Sequence, residues 1–201
     1  MSASIIVAFI TGVLGPLLLL FIKNRLEKRS EKPDMVLETL KVSELIMTKL
    51  EHIKEELKSD RVWITQFHNG GNFYPTGKSM AKFSVMYEVV GSGISSIQGN
   101  FHNIPVNLFS RSINQLLETD VIQIPDYKDE TVATFGLKYV AEDTGCKSGY
   151  LFAIKSIDGK FIGILGLDYT KRKNKLDSDS VHHLQQHAAS IGGVLMTHLS
   201  Q

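Results

Sequence analysis

Phe161 to Leu195 reads FIGILGLDYTKRKNKLDSDSVHHLQQHAASIGGVL, and two elements are legible in it. The apolar, β-branched run Phe161 to Tyr169 predicts a strand. The helix predicted from Ser178 to Leu199 is capped by Asp177 or Ser178. Within it Val181, Leu184, Ala188, Ile191 and Leu195 recur at steps of three and four, which places one apolar stripe on one helix face. Just upstream, Tyr150 to Ser156 forms a second apolar run. The Asp158-Gly159 pair between the two runs is a strong hairpin signal, because both residues tolerate the left-handed backbone of a tight turn.

Further upstream, strands and helices alternate. Arg61 to His68 (RVWITQFH) and Lys82 to Val90 (KFSVMYEVV) predict strands, with Asn69-Gly70-Gly71-Asn72 as a turn and Tyr74-Pro75-Thr76-Gly77 continuing the loop. A glycine-bearing loop follows, then an amphipathic helix from Val106 to Leu117. Val121 to Ile124 forms a short strand closed by Pro125-Asp126, and Glu130 to Glu142 predicts another helix. The expected architecture is α+β, a mainly antiparallel sheet flanked by its N- and C-terminal helices.

Those residues resemble a known family. The closing strand ending in Leu167-Asp168, the short loop, the acidic cap and the terminal helix resemble the end of GAF domains, and DVIQIPD (Asp120 to Asp126) resembles their short mid-domain strand. The PAS fold has a related architecture. The resemblance runs from about Met35 to Leu199. It implies a small-molecule sensor or a dimerising interaction module, since GAF domains bind cyclic nucleotides, tetrapyrroles, haem, amino acids or nothing. The phytochrome-like branch holds its chromophore on a cysteine, but the surroundings of Cys146 (DTGCKSG) do not match that motif, so the role is not carried over.

The N-terminus reads differently. From Ile5 to Ile22, IIVAFITGVLGPLLLLFI carries no charge, and Thr11 is its only polar side chain. At about 1.5 Å per residue, eighteen residues reach about 27 Å, close to the thickness of a bilayer core. Residues 4–22 are therefore expected to form a transmembrane helix, with Gly15-Pro16 tolerated as a kink. A signal peptide would place its charges before the apolar run, and a soluble core helix would keep a polar face. Instead Lys23, Arg25, Lys28, Arg29 and Lys32 follow the span, in a basic juxtamembrane segment at 23–33. By the positive-inside rule this puts the soluble domain in the cytoplasm.

Residues 34–59 are expected to form a connecting helix with Asp34 as its N-cap. Val36, Leu40, Ile46, Leu50, Ile53 and Leu57 recur at mostly helical spacing. Two readings stay open: a parallel coiled coil joining a homodimer through 35–58, or an amphipathic helix packed on its own domain. Residues 60–201 then form the GAF-like domain.

The net charge is +1, which gives no reason to expect a nucleic-acid partner. The expected partners are the lipid bilayer, a second copy of the chain and a small-molecule ligand; the sequence does not identify a cofactor. Candidate ligand-binding residues are His68 and Asn69 at the glycine-rich strand end, Tyr74 and Lys78 in the following loop, Tyr87 on the second strand, Cys146, and Asp168 at the Leu-Asp terminus. Lys82 and Glu88 carry the default reading of solvated charges. His183 and His187 share a helix face, yet they have no acidic or thiol third ligand in sequence, so no metal is expected. No nucleophile elbow, Walker motif or dinucleotide fingerprint occurs, and the chain is expected not to be an enzyme.

The leading expectation is a membrane-anchored GAF-like sensory or regulatory binding module acting through a small ligand or a protein partner. One alternative is a membrane-active protein of the phage holin type, with one N-terminal span and a globular C-terminal domain facing the periplasm. Another is a thiol enzyme using Cys146.

Overall fold

The computed structural model describes residues 10–29, 35–129 and 135–199. The chain divides into an N-terminal unit ending at Thr39 and a larger unit beginning at Leu40.

In the N-terminal unit a π-helical turn, Ile10–Leu14, runs into helix α1, Gly15–Arg29. Leu17, Leu18, Leu19, Leu20, Phe21 and Ile22 are all exposed. Six consecutive residues circle a helix of 3.6 residues per turn, so α1 is apolar on every side here. Among the described residues no helix is long and apolar enough to cross a membrane. Residues 4–9 of the expected span, and the expected cap at Asp34, lie outside the described residues.

The larger unit is built on a six-stranded sheet in the order β3-β2-β1-β6-β5-β4, with every neighbouring pair antiparallel. The strands are β1 Arg61–Asn72, β2 Ser79–Val90, β3 Ile104–Pro105, β4 Val121–Ile124, β5 Ser148–Lys155 and β6 Phe161–Tyr169. Helices α2 (Met35–Leu57) and α5 (Ser178–Leu199) supply the core on one face. Helices α3 (Ser110–Thr119) and α4 (Phe135–Thr144), with the 91–103 loop, cover the other. A 3₁₀ turn, Val106–Phe109, opens the segment expected to be one helix from Val106.

The α2/α5 face holds the larger core. Ile46, Leu50 and Ile53 of α2 and Leu184, Ala188, Ile191 and Leu195 of α5 pack with Val62, Ile64, Phe152, Leu165 and Leu167 of the strands. Of the two readings of the connecting helix, this one has α2 packed on its own domain: Ile46, Leu50 and Ile53 have no exposed surface. The helix ends where Lys58 turns left-handed (φ 49°) and the Ser59 N–H reaches the Lys54 carbonyl at 3.1 Å, a Schellman-type stop. At α5 the Asp177 carboxylate accepts the Ser180 N–H at 2.7 Å, the expected N-cap.

Two details of the β1–β2 hairpin differ from the sequence reading. The Asn69-Gly70-Gly71-Asn72 turn is strand: pairing continues to Asn72↔Ser79 past a bulge at Gly70-Gly71, where Gly71 takes φ +91°. The turn itself falls at 73–78, closed by Phe73 N–H to Lys78 carbonyl at 2.8 Å. A second bulge skips Met86, since Ile64 pairs with Tyr87 while Thr65 pairs with Val85. One extra residue inverts the inside–outside phase. Val85 and Tyr87, which plain strand alternation would put on one face, therefore lie on opposite faces.

Candidate functional site

The sheet face away from α2 and α5 encloses a cavity of about 60 Å³. Trp63 and Thr65 of β1, Phe83 and Val85 of β2, Leu151 of β5, and Ile164 and Asp168 of β6 form its floor. Ile97 and Phe101 of the loop, Phe109, Ser112 and Ile113 at α3, and Leu137 and Ala141 of α4 form its roof.

The floor depends on a missing side chain. Trp63 pairs with Gly166, and a Cβ on Gly166 would stand 2.2 Å from the indole ring. Glycine there lets the indole lie against the neighbouring strand.

One rim of the cavity is a buried charged cluster. Arg61 is 1% and Asp168 5% exposed. Arg61 Nε donates to Asp168 Oδ2 at 2.7 Å, and Trp63 Nε1 donates to the same oxygen at 3.0 Å. Arg61 Nη2 also lies 2.7 Å from that oxygen, as an ion-pair contact without hydrogen-bond geometry. Nη1 donates to the Ser95 carbonyl at 3.0 Å.

Glu88 holds the same loop from β2. Its carboxylate accepts the N–H groups of Ile97 (2.9 Å) and Gln98 (3.0 Å) and the Ser96 hydroxyl. Its side chain is 2% exposed and lies 3.9 Å from Arg61 Nε, so it is not the solvated charge expected. Through these bonds Arg61 and Glu88 fix the segment that presents Ile97 to the cavity.

The remaining polarity is sparse. Thr65 is 2% exposed, and its Oγ1 has no hydrogen-bond partner among the described residues. Burial pushes the Tyr127 hydroxyl well above its ordinary pKa, helped by the Asp168 charge, so it stays protonated. Burial, again with Asp168, pushes the Cys146 thiol up in the same way. Cys146 Sγ donates to the Ser148 carbonyl at 3.2 Å.

Of the seven candidate residues, the cavity brings together Cys146 and Asp168. His68 bonds Ser84 Oγ at 2.9 Å, Asn69 sits in the extended hairpin, and Tyr74 and Lys78 are exposed in the 73–78 turn. Tyr87 packs on the α2/α5 core because of the Met86 bulge. Arg61, Trp63, Thr65 and Phe83 escape sequence reading because they look like ordinary strand residues. The faint signal is an arginine two positions before a tryptophan, on the face of β1 opposite Val62 and Ile64.

No protein-family model and no curated protein sequence matches the chain. Solved structures do. A far-red cyanobacteriochrome photoreceptor superposes with a TM-score of 0.61 at 16% identity, covering 92% of this chain and 99% of that one. The fold is that of a GAF domain. The phycocyanobilin-bound GAF domain of a cyanobacterial phytochrome gives 0.60 at 17% identity over 90% and 92% of the two chains. The photoproduct state of a GAF3 domain from Synechocystis sp. gives 0.58 at 14% over 75% and 90%. At these identities the likeness concerns the GAF fold alone.

Proposed function

We propose that the chain is a membrane-anchored GAF-like sensory or regulatory binding module, and that its cavity takes a small, uncharged, largely apolar ligand. The observation that carries this reading is Thr65 Oγ1, a buried hydroxyl without a hydrogen-bond partner among the described residues, in a cavity lined mainly by aromatic and aliphatic side chains. A buried polar group without a partner costs about 1–3 kcal/mol, and a ligand donor or acceptor beside it would recover that cost. An ionic ligand is disfavoured. The Arg61 charge is already met by Asp168 and Glu88, so an incoming ion would lose its hydration without finding a free counter-charge.

The neighbours' bilins do not carry over. A cavity of about 60 Å³ has room for only a few water-sized groups at about 10–15 Å³ each, far short of a four-ring pigment. The buried, protonated Cys146 thiol is also poorly placed to form a covalent link. The same inertness supports a binding module over a thiol enzyme.

The anchor rests on the uncharged run of residues 4–22 and on the uninterrupted apolar surface of Leu17–Ile22, which water would not tolerate but lipid would. The basic residues that follow favour a cytoplasmic domain, whereas a holin of the type considered needs a periplasmic one.

The test uses the full chain extracted in detergent. Native mass spectrometry for co-purifying molecules is combined with thermal-shift screening against acetamide, propan-2-ol, tert-butanol, nucleotides and amino acids. Stabilisation by the small neutral compounds and not by the nucleotides is expected. If nothing co-purifies and no compound raises Tm, the ligand reading is lost. Release of the chain from membranes by alkaline carbonate would remove the anchor, and an active periplasmic reporter at Gln201 would reverse the topology.

A further inference from the structure

The outer edge of the α2/α5 layer carries a cluster that the cavity does not use. On α2, Leu50 and Ile53 point into the core, which leaves His52 and Glu56, four residues apart, along the flank. On α5, Leu184 and Ala188 point into the core, which leaves His183 and His187 along the facing flank. The two flanks meet. Ligand atoms of His52, Glu56 and His187 all lie within 4.8 Å of one another. His183 Nε2 stands 3.9 Å from Glu56 Oε1, and the His183 and His187 rings are 4.6 Å apart, centroid to centroid. His187 Nε2 is buried and has no hydrogen-bond partner among the described residues.

We propose that His52, Glu56, His183 and His187 form a binding site for one divalent transition-metal ion of the zinc class, joining α2 to α5. Three imidazoles and one carboxylate are a donor set that Zn²⁺ takes in tetrahedral geometry. With metal–ligand distances of about 2.0–2.2 Å, tetrahedral neighbours stand roughly 3.3–3.5 Å apart. The donors of His52, Glu56 and His187, within 4.8 Å of one another, therefore close by up to about 1.5 Å. The side chains of His52, Glu56 and His183 are 68%, 40% and 50% exposed, so rotamer changes suffice and the helices need not move. Nitrogen-rich donors select against Mg²⁺ and Ca²⁺, which want oxygen. The nearby cation, Lys49, is drawn to Ser190 Oγ at 3.2 Å. The two helix pairs are 127 residues apart in sequence (His183 minus Glu56), which is why spacing alone leaves the α5 histidines without an acidic ligand.

This site does not rest on the cavity reading, and it is measured separately. The full chain in detergent, stripped of metal with a chelator, is titrated with Zn²⁺ by calorimetry, and Co²⁺ is added to read its visible spectrum. One equivalent of Zn²⁺ per chain is expected, with the intense absorption of tetrahedral Co²⁺. His52→Ala and His187→Ala should each weaken Zn²⁺ at least as much as losing an outer-shell partner does, about 10–100-fold. Glu56→Gln keeps the shape and removes the charge, so it guards against misfolding as the explanation. His182→Ala, a control on a side chain that bonds Gln186 away from the cluster, should bind as the unaltered chain does. No Zn²⁺ bound by the unaltered chain, or Zn²⁺ bound as tightly by Glu56→Gln and His187→Ala as by the unaltered chain, would overturn the proposal. So would a loss in His182→Ala as large as in His187→Ala.

Discussion

Arg61 and Asp168 are partners twice over: their Cα positions pair across β1 and β6, and their side chains join at 2.7 Å in the buried rim of the cavity. The pair seats Trp63 through its indole N–H and tethers the roof through Ser95. Removing Asp168 leaves the buried Arg61 with only the more distant Glu88 carboxylate, 3.9 Å from Nε, as a counter-charge. Asp168→Ala should therefore cost about 3–5 kcal/mol in urea unfolding, while Arg61→Met combined with Asp168→Leu should recover much of it. A loss below about 1 kcal/mol for Asp168→Ala would mean that the pair does not hold the rim.

Leu50 tests whether α2 belongs to the domain. It is fully buried against the sheet, so Leu50→Ala should cost about 2–5 kcal/mol through lost burial and a residual cavity. Leu40→Ala, at an exposed position of the same helix, should stay within about 0.5 kcal/mol. Equal effects from the two would favour the free coiled-coil reading.

Asp60 gives a pH dependence. Burial pushes its carboxyl up, but this is outweighed by the N–H groups of Lys171 (2.9 Å) and Thr170 (2.7 Å) together with the Lys171 charge, so its pKa is lowered. A folded-state value below the unfolded one means the stabilisation is complete above the unfolded carboxylate range, near 3.9, and is lost as pH falls through the folded value. Asp60→Ala should cost about 1–3 kcal/mol at neutral pH. The gap from the unaltered chain should narrow as unfolding is followed into acid below about pH 4. A gap unchanged down to that range would contradict the assignment.

Local signals were the readable part of the sequence. The Asp158-Gly159 hairpin, the α5 stripe and its Asp177 cap each depend on residues a few positions apart, and they appear where their pattern places them. The α2 stripe was equally legible, but periodicity cannot say whether a helix meets its own sheet or another chain. The site was mostly hidden, because its walls come from four strands, two helices and a loop. Its phase on β2 depends on the Met86 bulge, which no alternation pattern announces. Asp168 was found through its place after Leu167, whereas Thr65 and Trp63 looked like strand filler. His183 and His187 were visible as a pair, but their neighbours His52 and Glu56 join them only through helix packing.

Trp63 is the chain's single tryptophan and forms part of the cavity wall, so its fluorescence reports the site directly. The full chain in detergent is titrated with acetamide, propan-2-ol and tert-butanol, with excitation selective for tryptophan. The account predicts a saturable change in Trp63 emission for at least one of these neutral compounds, weakened about five- to tenfold in Thr65→Val, the equivalent of roughly one hydrogen bond at 1–1.4 kcal/mol. Emission that changes only linearly with added compound, or a Thr65→Val chain that binds as tightly as the unaltered one, would contradict it.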